Sequence, residues 1–176
     1  MPVNVRPGLA IFVRKSLKVL GDGGFRGYDG GAPIGAEYGG RATGSCQWVE
    51  AQITETSKAT IVNVHGLWQK GTNKSDTPER LIQSKILQNF LHSKGDKKIL
   101  CGDFNLKPDS KSIEIFEQDM TNLVKKSGAV STRSSHYTKL EKFADYVFVS
   151  QDIEVKHFEV LSDDVSDHLP FLLEFK

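Results

Sequence analysis

Hydrophobic positions fall into short runs along the chain, and the spacing inside those runs switches between two periods. Trp48 to Ile53 alternates apolar and polar residues, and Ala59 to Val64 (ATIVNV) reads as a second strand; the turn ETSK between them closes a β-hairpin. The second strand runs out at His65-Gly66-Leu67-Trp68. The period then lengthens. Thr77 reads as a helix cap, with Pro78 at the first helical position and Glu79 in the first turn. Ile82, Ile86 and Phe90, with Leu87 and Leu91 one step round, make the apolar stripe of that helix, and Gly95 ends it. Residues 98–108 (KILCGDFNLKP) follow: Ile99, Leu100 and Cys101 are apolar as in a buried strand, and Gly102 breaks the run. A second helix is expected from about Ser112 to near Gly128, with Ile113, Phe116, Met120 and Leu123 inward. Residues 129–142 lack any period and read as a loop. Phe143 to Ser150, Ile153 to Leu161 and Phe171 to Phe175 read as strands, the last two separated by the turn-rich SDDVSDHLP. At the start, Gly8 to Leu20 reads as a buried strand over Gly8 to Val13, a polar break, and a second short strand. The succession predicts a layered α/β fold.

Composition narrows this reading. A chain of 176 residues with 38% hydrophobic and 26% charged residues suits one soluble domain with a sizeable core. The net charge of +1 gives no global case for nucleic-acid binding. Lys107, Lys111, Lys125, Lys126, Arg133, Lys139 and Lys142 are candidates for a local basic rim, with an ordinary solvated surface as the plainer reading. Cys46 and Cys101 lack metal-site spacing and read as free thiols, Cys101 buried, which suits a reducing, cytoplasmic setting. No segment is long and apolar enough to span a membrane, and the opening residues lack the apolar core of a signal peptide. Gly21 to Gly44 holds ten of the sixteen glycines and is expected to be a long, mobile surface loop, a candidate flap over a site. It carries no P-loop or dinucleotide spacing.

Candidate chemistry sits where strands end. His65 ends one strand, Asp103 and Asn105 end another, Asp145 begins a third, and Asp167-His168 lies just before the last. Asp103 and Asn105 are two apart, so a persisting strand points both to one side, with Phe104 turned to the core. Each group alone has a structural explanation, such as a turn or a local backbone bond. Strand ends and their adjoining loops gather at one edge of a sheet, which lets all of them converge.

The motifs NVHG, GDFN, ADYVFVS and SDHLP, in this order, resemble the endonuclease/exonuclease/phosphatase superfamily. The resemblance covers nearly the whole chain from Gly8 and implies a DNase I-like α/β fold, a two-layer β-sandwich flanked by helices. It implies Mg²⁺- or Mn²⁺-dependent hydrolysis of a phosphoester, with nucleic acid among the candidate substrates. His168 matches the general base that takes a proton from water, and Asp145 the carboxylate that orients that imidazole. Asp103 would position the water or the scissile phosphate, Asn105 would donate to a phosphoryl oxygen, and His65 would bond the phosphate. Asp167, with Asp103 and Asn105, would hold the metal.

Members of this family also begin with a strand ending in asparagine and a later strand ending in a metal-binding glutamate. Nothing before Gly8 corresponds, and Glu37 and Glu50 lack the right setting. The chain is therefore expected to be N-terminally incomplete. Two consequences follow: a homodimer through an exposed sheet edge, and, as the rival to catalysis, a binding or interaction module that kept the site but lost the metal.

Overall fold

The computed structural model describes residues 8–28, 44–95 and 97–176. The strands are β1 (Val19–Arg26), β2 (Ser45–Gln52), β3 (Lys58–His65), β4 (Lys98–Asp103), β5 (Met120–Asn122), β6 (Asp145–Ser150), β7 (Val155–Val160) and β8 (Phe171–Phe175). The helices are α1 (Pro78–His92), α2 (Lys111–Glu117) and α3 (Leu123–Ser127). Among the described residues, six strands form one mixed sheet in the order β1-β2-β3-β4-β6-β5, and β7 pairs with β8 in a second. Within the large sheet β3 and β4 are the parallel pair, joined through α1, and the other neighbours are antiparallel.

Strand alternation divides the core in two. On the helical face, Val62, Val64, Leu100, Tyr146 and Phe148 pack against Leu87, Leu91, Ile113, Phe116 and Val124. On the other face, Ile99, Val147 and Val149 meet Phe158, Phe171 and Leu173 of the small sheet. Being covered on both sides, β6 is buried along its whole length. The layered α/β fold expected from the sequence is present.

Several local expectations are corrected. Gly8 to Val13 forms no strand with the other described residues, and Phe12 is 96% exposed. The glycine-rich stretch begins as a strand: Val19–Arg26 pairs with β2, and Gly21 and Gly23 leave room for the Trp48 ring, which a Cβ at Gly23 would meet at 3.0 Å. The remainder of the expected mobile loop, residues 29–43, lies outside the described residues. On α1 the buried face is Arg80, Gln83, Ser84, Leu87 and Leu91, while Ile82 and Ile86 are turned out. Polar residues take the inner positions because they serve the backbone after β3. Arg80 donates to the carbonyls of Leu67 and Ser75, and Gln83 accepts from the Leu67 N–H. The second helix is broken in two: α2 ends at Glu117, β5 pairs with β6, and the Asn122 side chain caps α3 by accepting from the Lys125 N–H. Cys101 is half-buried rather than buried.

Two glycines set where the site forms. The Gly66 N–H donates to the Asp103 carbonyl at 2.6 Å, and a Cβ at Gly66 would lie 2.2 Å from the Phe104 carbonyl oxygen. Gly102 has φ +131°, and a Cβ there would lie 2.1 Å from the Val64 carbonyl oxygen. Only glycine lets the ends of β3 and β4 approach this closely. Gly66→Ala is expected to destabilise the fold by roughly 3 kcal/mol or more, with Gly95→Ala, whose Cβ meets only the Lys58 side chain, within about 0.5 kcal/mol of the parent. Urea unfolding of the two variants measures the contrast.

Candidate active site

Parallel pairing of β3 with β4 puts their C-terminal ends at one edge, and antiparallel β6 begins at that edge. His65 is therefore in register with Asp103, and Asp103 with Asp145. Past the end of β4 the strand geometry does not persist. Asn105 adopts φ +53°, its N–H donates to Asp103 Oδ1 at 2.8 Å, and its side-chain nitrogen donates to the Gly66 carbonyl at 3.1 Å. Asn105 reaches the cleft through this turn rather than by alternation. Its amide nitrogen is engaged with the backbone, so the carboxamide oxygen is the acceptor end. Phe104 turns inward as expected, with ring contacts to Phe116, Tyr146 and Phe148 at 5.7, 5.6 and 5.5 Å.

His168 comes from the loop before β8. Its Nδ1 lies 2.8 Å from Asp145 Oδ1. An isolated β-bridge between Arg133 and His168 ties this loop to the one at 129–142. The latter has no regular structure, yet it is pinned by Thr132. The buried Thr132 hydroxyl accepts from the N–H groups of Ala144 and Asp145 and donates to Asp145 Oδ2 at 3.1 Å. The same loop delivers Arg133, whose side chain is only 4% exposed.

Arg133 is the residue that sequence reasoning misplaced, counting it on a surface rim. Its guanidinium stands among three carboxylates, with nitrogens 3.7 Å from Asp103, 3.7 Å from Asp145 and 3.4 Å from Asp167. Its Nη1 lies 2.5 Å from His168 Nε2. Guanidinium only donates, so Nε2 is the acceptor and the proton of the neutral ring sits on Nδ1, facing Asp145. Nothing in the periodicity marks Arg133 or Thr132, because their roles depend on a loop packed by hydrogen bonds rather than by apolar spacing.

The cleft above these groups has a volume of about 650 Å³ and is lined by His65, Asp103, Asn105, Arg133, Asp167 and His168 among others. Five of these six were singled out from the sequence. Asp145 lies beneath them, half as exposed as Asp103 (9% against 19%). Three ionised carboxylates around one guanidinium and a neutral imidazole leave two negative charges uncompensated. Burial, then the Asp145 charge, raises the pKa of Asp103, which Arg133 and His168 offset only in part. Burial lowers that of His168, but the hydrogen bond and charge of Asp145 outweigh it, and the net shift is upward from 6.5.

The donor set fits a hard divalent cation. Ligand atoms of Asp103, Asp145 and His168 lie within 4.8 Å of one another, and carboxylate oxygens are the ligands Mg²⁺ and Mn²⁺ prefer. Asp145 and His168 Nδ1 are engaged with each other, which leaves Asp103, the 52%-exposed Asp167 and the Asn105 oxygen as the readiest donors.

A sequence model described as the endonuclease/exonuclease/phosphatase family matches residues 2–168, and the chain belongs to that family. No individually curated protein matches it. Among solved structures it is similar to a mannosyl-6-phosphatase of Bacteroides thetaiotaomicron, at 18% identity and TM-score 0.61 over 91% of this chain and 67% of that one. It is also similar to the human Nocturnin catalytic domain with bound sulfate, at 19% identity and TM-score 0.64 over 94% and 62%. D. rerio TDP2 complexed with single-strand DNA product matches at 13% identity and TM-score 0.64 over 91% and 68%. These likenesses show the DNase I-like fold. The chain spans about two thirds of the length of these relatives. No helix among the described residues is long and apolar enough to cross a membrane.

Both raised pKa values carry one sign. His168 contributes stability below its unfolded pKa, and that contribution is lost as pH rises through its folded value; buried Asp103 likewise favours the folded state when protonated. Without divalent metal, the unfolding midpoint should therefore fall between pH 5.5 and 7.5. The fall should be smaller in Asp145→Asn, which removes the charge raising both groups. Thermal melts in EDTA at the two pH values measure it.

Proposed function

We propose that this chain is a divalent-metal-dependent phosphoester hydrolase in which His168 is the general base. The observation that carries this reading is the pairing of His168 with Asp145: Nδ1 lies 2.8 Å from Asp145 Oδ1, and the ring lines the acidic cleft. A water replacing the Arg133 contact at Nε2 would give up its proton there, and the imidazolium formed is stabilised by Asp145. Arg133, released toward the substrate, offers N–H donors to phosphoryl oxygens as negative charge builds on them. His65, in register with Asp103, would bond another phosphoryl oxygen or the leaving oxygen. Bound Mg²⁺ or Mn²⁺ would supply charge neutralisation and polarise the scissile phosphate, held by Asp103, Asp167 and Asn105.

One feature favours a rival. Arg133 engages the base nitrogen directly, where an attacking water would have to sit. Hydrolysis of bis(p-nitrophenyl) phosphate with Mg²⁺ or Mn²⁺ separates the two. The hydrolase reading expects turnover abolished by EDTA and lowered about 10³-fold in His168→Ala. Turnover that survives both treatments would contradict the assignment, and the absence of both turnover and metal binding would favour the binding module.

A further inference from the structure

A second cleft, about 520 Å³, adjoins the first and shares Trp68, Lys74, Tyr137 and Lys139 with it. Lys107 adds a further cation to its wall. The acidic residue there, Glu141, has its carboxylate engaged by the Phe143 N–H at 3.0 Å. Arg80, also in the wall, is buried and donates to the carbonyls of Leu67 and Ser75. The cations presented to the space are thus Lys74, Lys107 and Lys139.

Lys74 sits at the junction and is held there at some cost. It and Asn73 both lie in the left-handed region, at φ +59° and +47°, a conformation unfavourable for lysine. Its carbonyl accepts from the Lys107 N–H at 3.0 Å, which fixes the two lysines side by side. Its ammonium donates to the Phe143 carbonyl at 2.8 Å and has no carboxylate partner among the described residues, so two N–H donors remain. Burial, then the nearby Arg133 charge, lowers its pKa to about 8, against the opposing pull of the Asp103, Glu141 and Asp145 charges.

Tyr137 links the two clefts. Lys74 Nζ lies 5.1 Å and Arg133 Cζ 4.7 Å from its ring centroid. One cation faces the carboxylate–histidine centre and the other the second cleft, with a flat aromatic surface holding them as neighbours.

We infer that Lys74, Lys107 and Lys139, with the rings of Trp68 and Tyr137, form a second phosphate subsite, so that the substrate class is a phosphoester bearing a further phosphoryl group beside the scissile one. The inference rests on the hydrolase reading for which phosphate reacts, and adds where the neighbouring one binds. The scissile phosphate meets Arg133 and His168, the next one meets Lys74, and the connecting group lies along Tyr137.

Two probes with the same scissile bond test it: the 5′-(p-nitrophenyl) ester of thymidine 5′-phosphate, with and without a 3′-phosphate. With Mg²⁺, the 3′-phosphorylated probe should have kcat/KM about tenfold higher, the size of one charge-assisted bond to phosphate. That ratio should fall toward one in Lys74→Gln and persist in Lys74→Arg. A ratio of one in the parent protein, or one unchanged in Lys74→Gln, overturns the subsite. Should Lys74→Gln fail to fold, Lys107→Gln carries the same comparison. If neither probe is hydrolysed, the hydrolase reading fails separately, and calorimetry with thymidine 3′,5′-bisphosphate against thymidine 5′-monophosphate decides the subsite. A tenfold preference lost in Lys74→Gln supports it, and equal affinities overturn it.

Discussion

The close approach of β3 and β4 is the constraint on which the site depends. Two backbones can pass this near only where no Cβ intervenes, and Gly66 and Gly102 supply those places. Once the ends are drawn together, register does the rest: His65, Asp103 and Asp145 line up across three neighbouring strands. The buried aromatic cluster around Phe104 then holds the turn that follows Asp103, so the acidic edge is set by the core beneath it.

Drawing carboxylates together creates an electrostatic problem that the rest of the site answers. Arg133, buried by a loop that Thr132 pins, neutralises part of the charge and simultaneously fixes the tautomer of His168. It leaves its Nε without a hydrogen-bond partner and its three carboxylates at 3.4 to 3.7 Å, looser than a committed bidentate pair. Loose pairing suits a cation that must change partners. Burial, reinforced by the Asp145 charge, accounts for the upward shift at Asp103, and the uncompensated carboxylates account for the fit of a divalent ion to the remaining donors.

Much of this was legible in the sequence, and what was hidden has a common cause. Strand alternation and the Thr77-Pro78-Glu79 start located the hairpin and α1 because those signals are local. His65, Asp103, Asn105, Asp145, Asp167 and His168 could be singled out as candidates because they sit at the ends of, or in the loops between, readable elements. Arg80 was missed as a core residue because its burial rests on backbone carbonyls of Leu67 and Ser75 in the irregular stretch before α1, which periodicity does not register. The break between α2 and α3 escaped because Met120 continues the helical spacing while pairing with β6 as an edge strand. Arg133 and Lys74 stand in loops whose order comes from hydrogen bonds and from a left-handed turn, and neither leaves a hydrophobic trace.

The proposed divalent cation would fill the charge deficit of the Asp103 centre. Titrating Mn²⁺ into isotopically labelled protein and following amide signal broadening tests it directly. Substoichiometric Mn²⁺ should first broaden Asp103 to Asn105, Arg133, Asp167 and His168, and Asp103→Asn should abolish that selectivity. Broadening confined to exposed acidic residues such as Glu154 and Asp163, with the Asp103 region untouched, would contradict it.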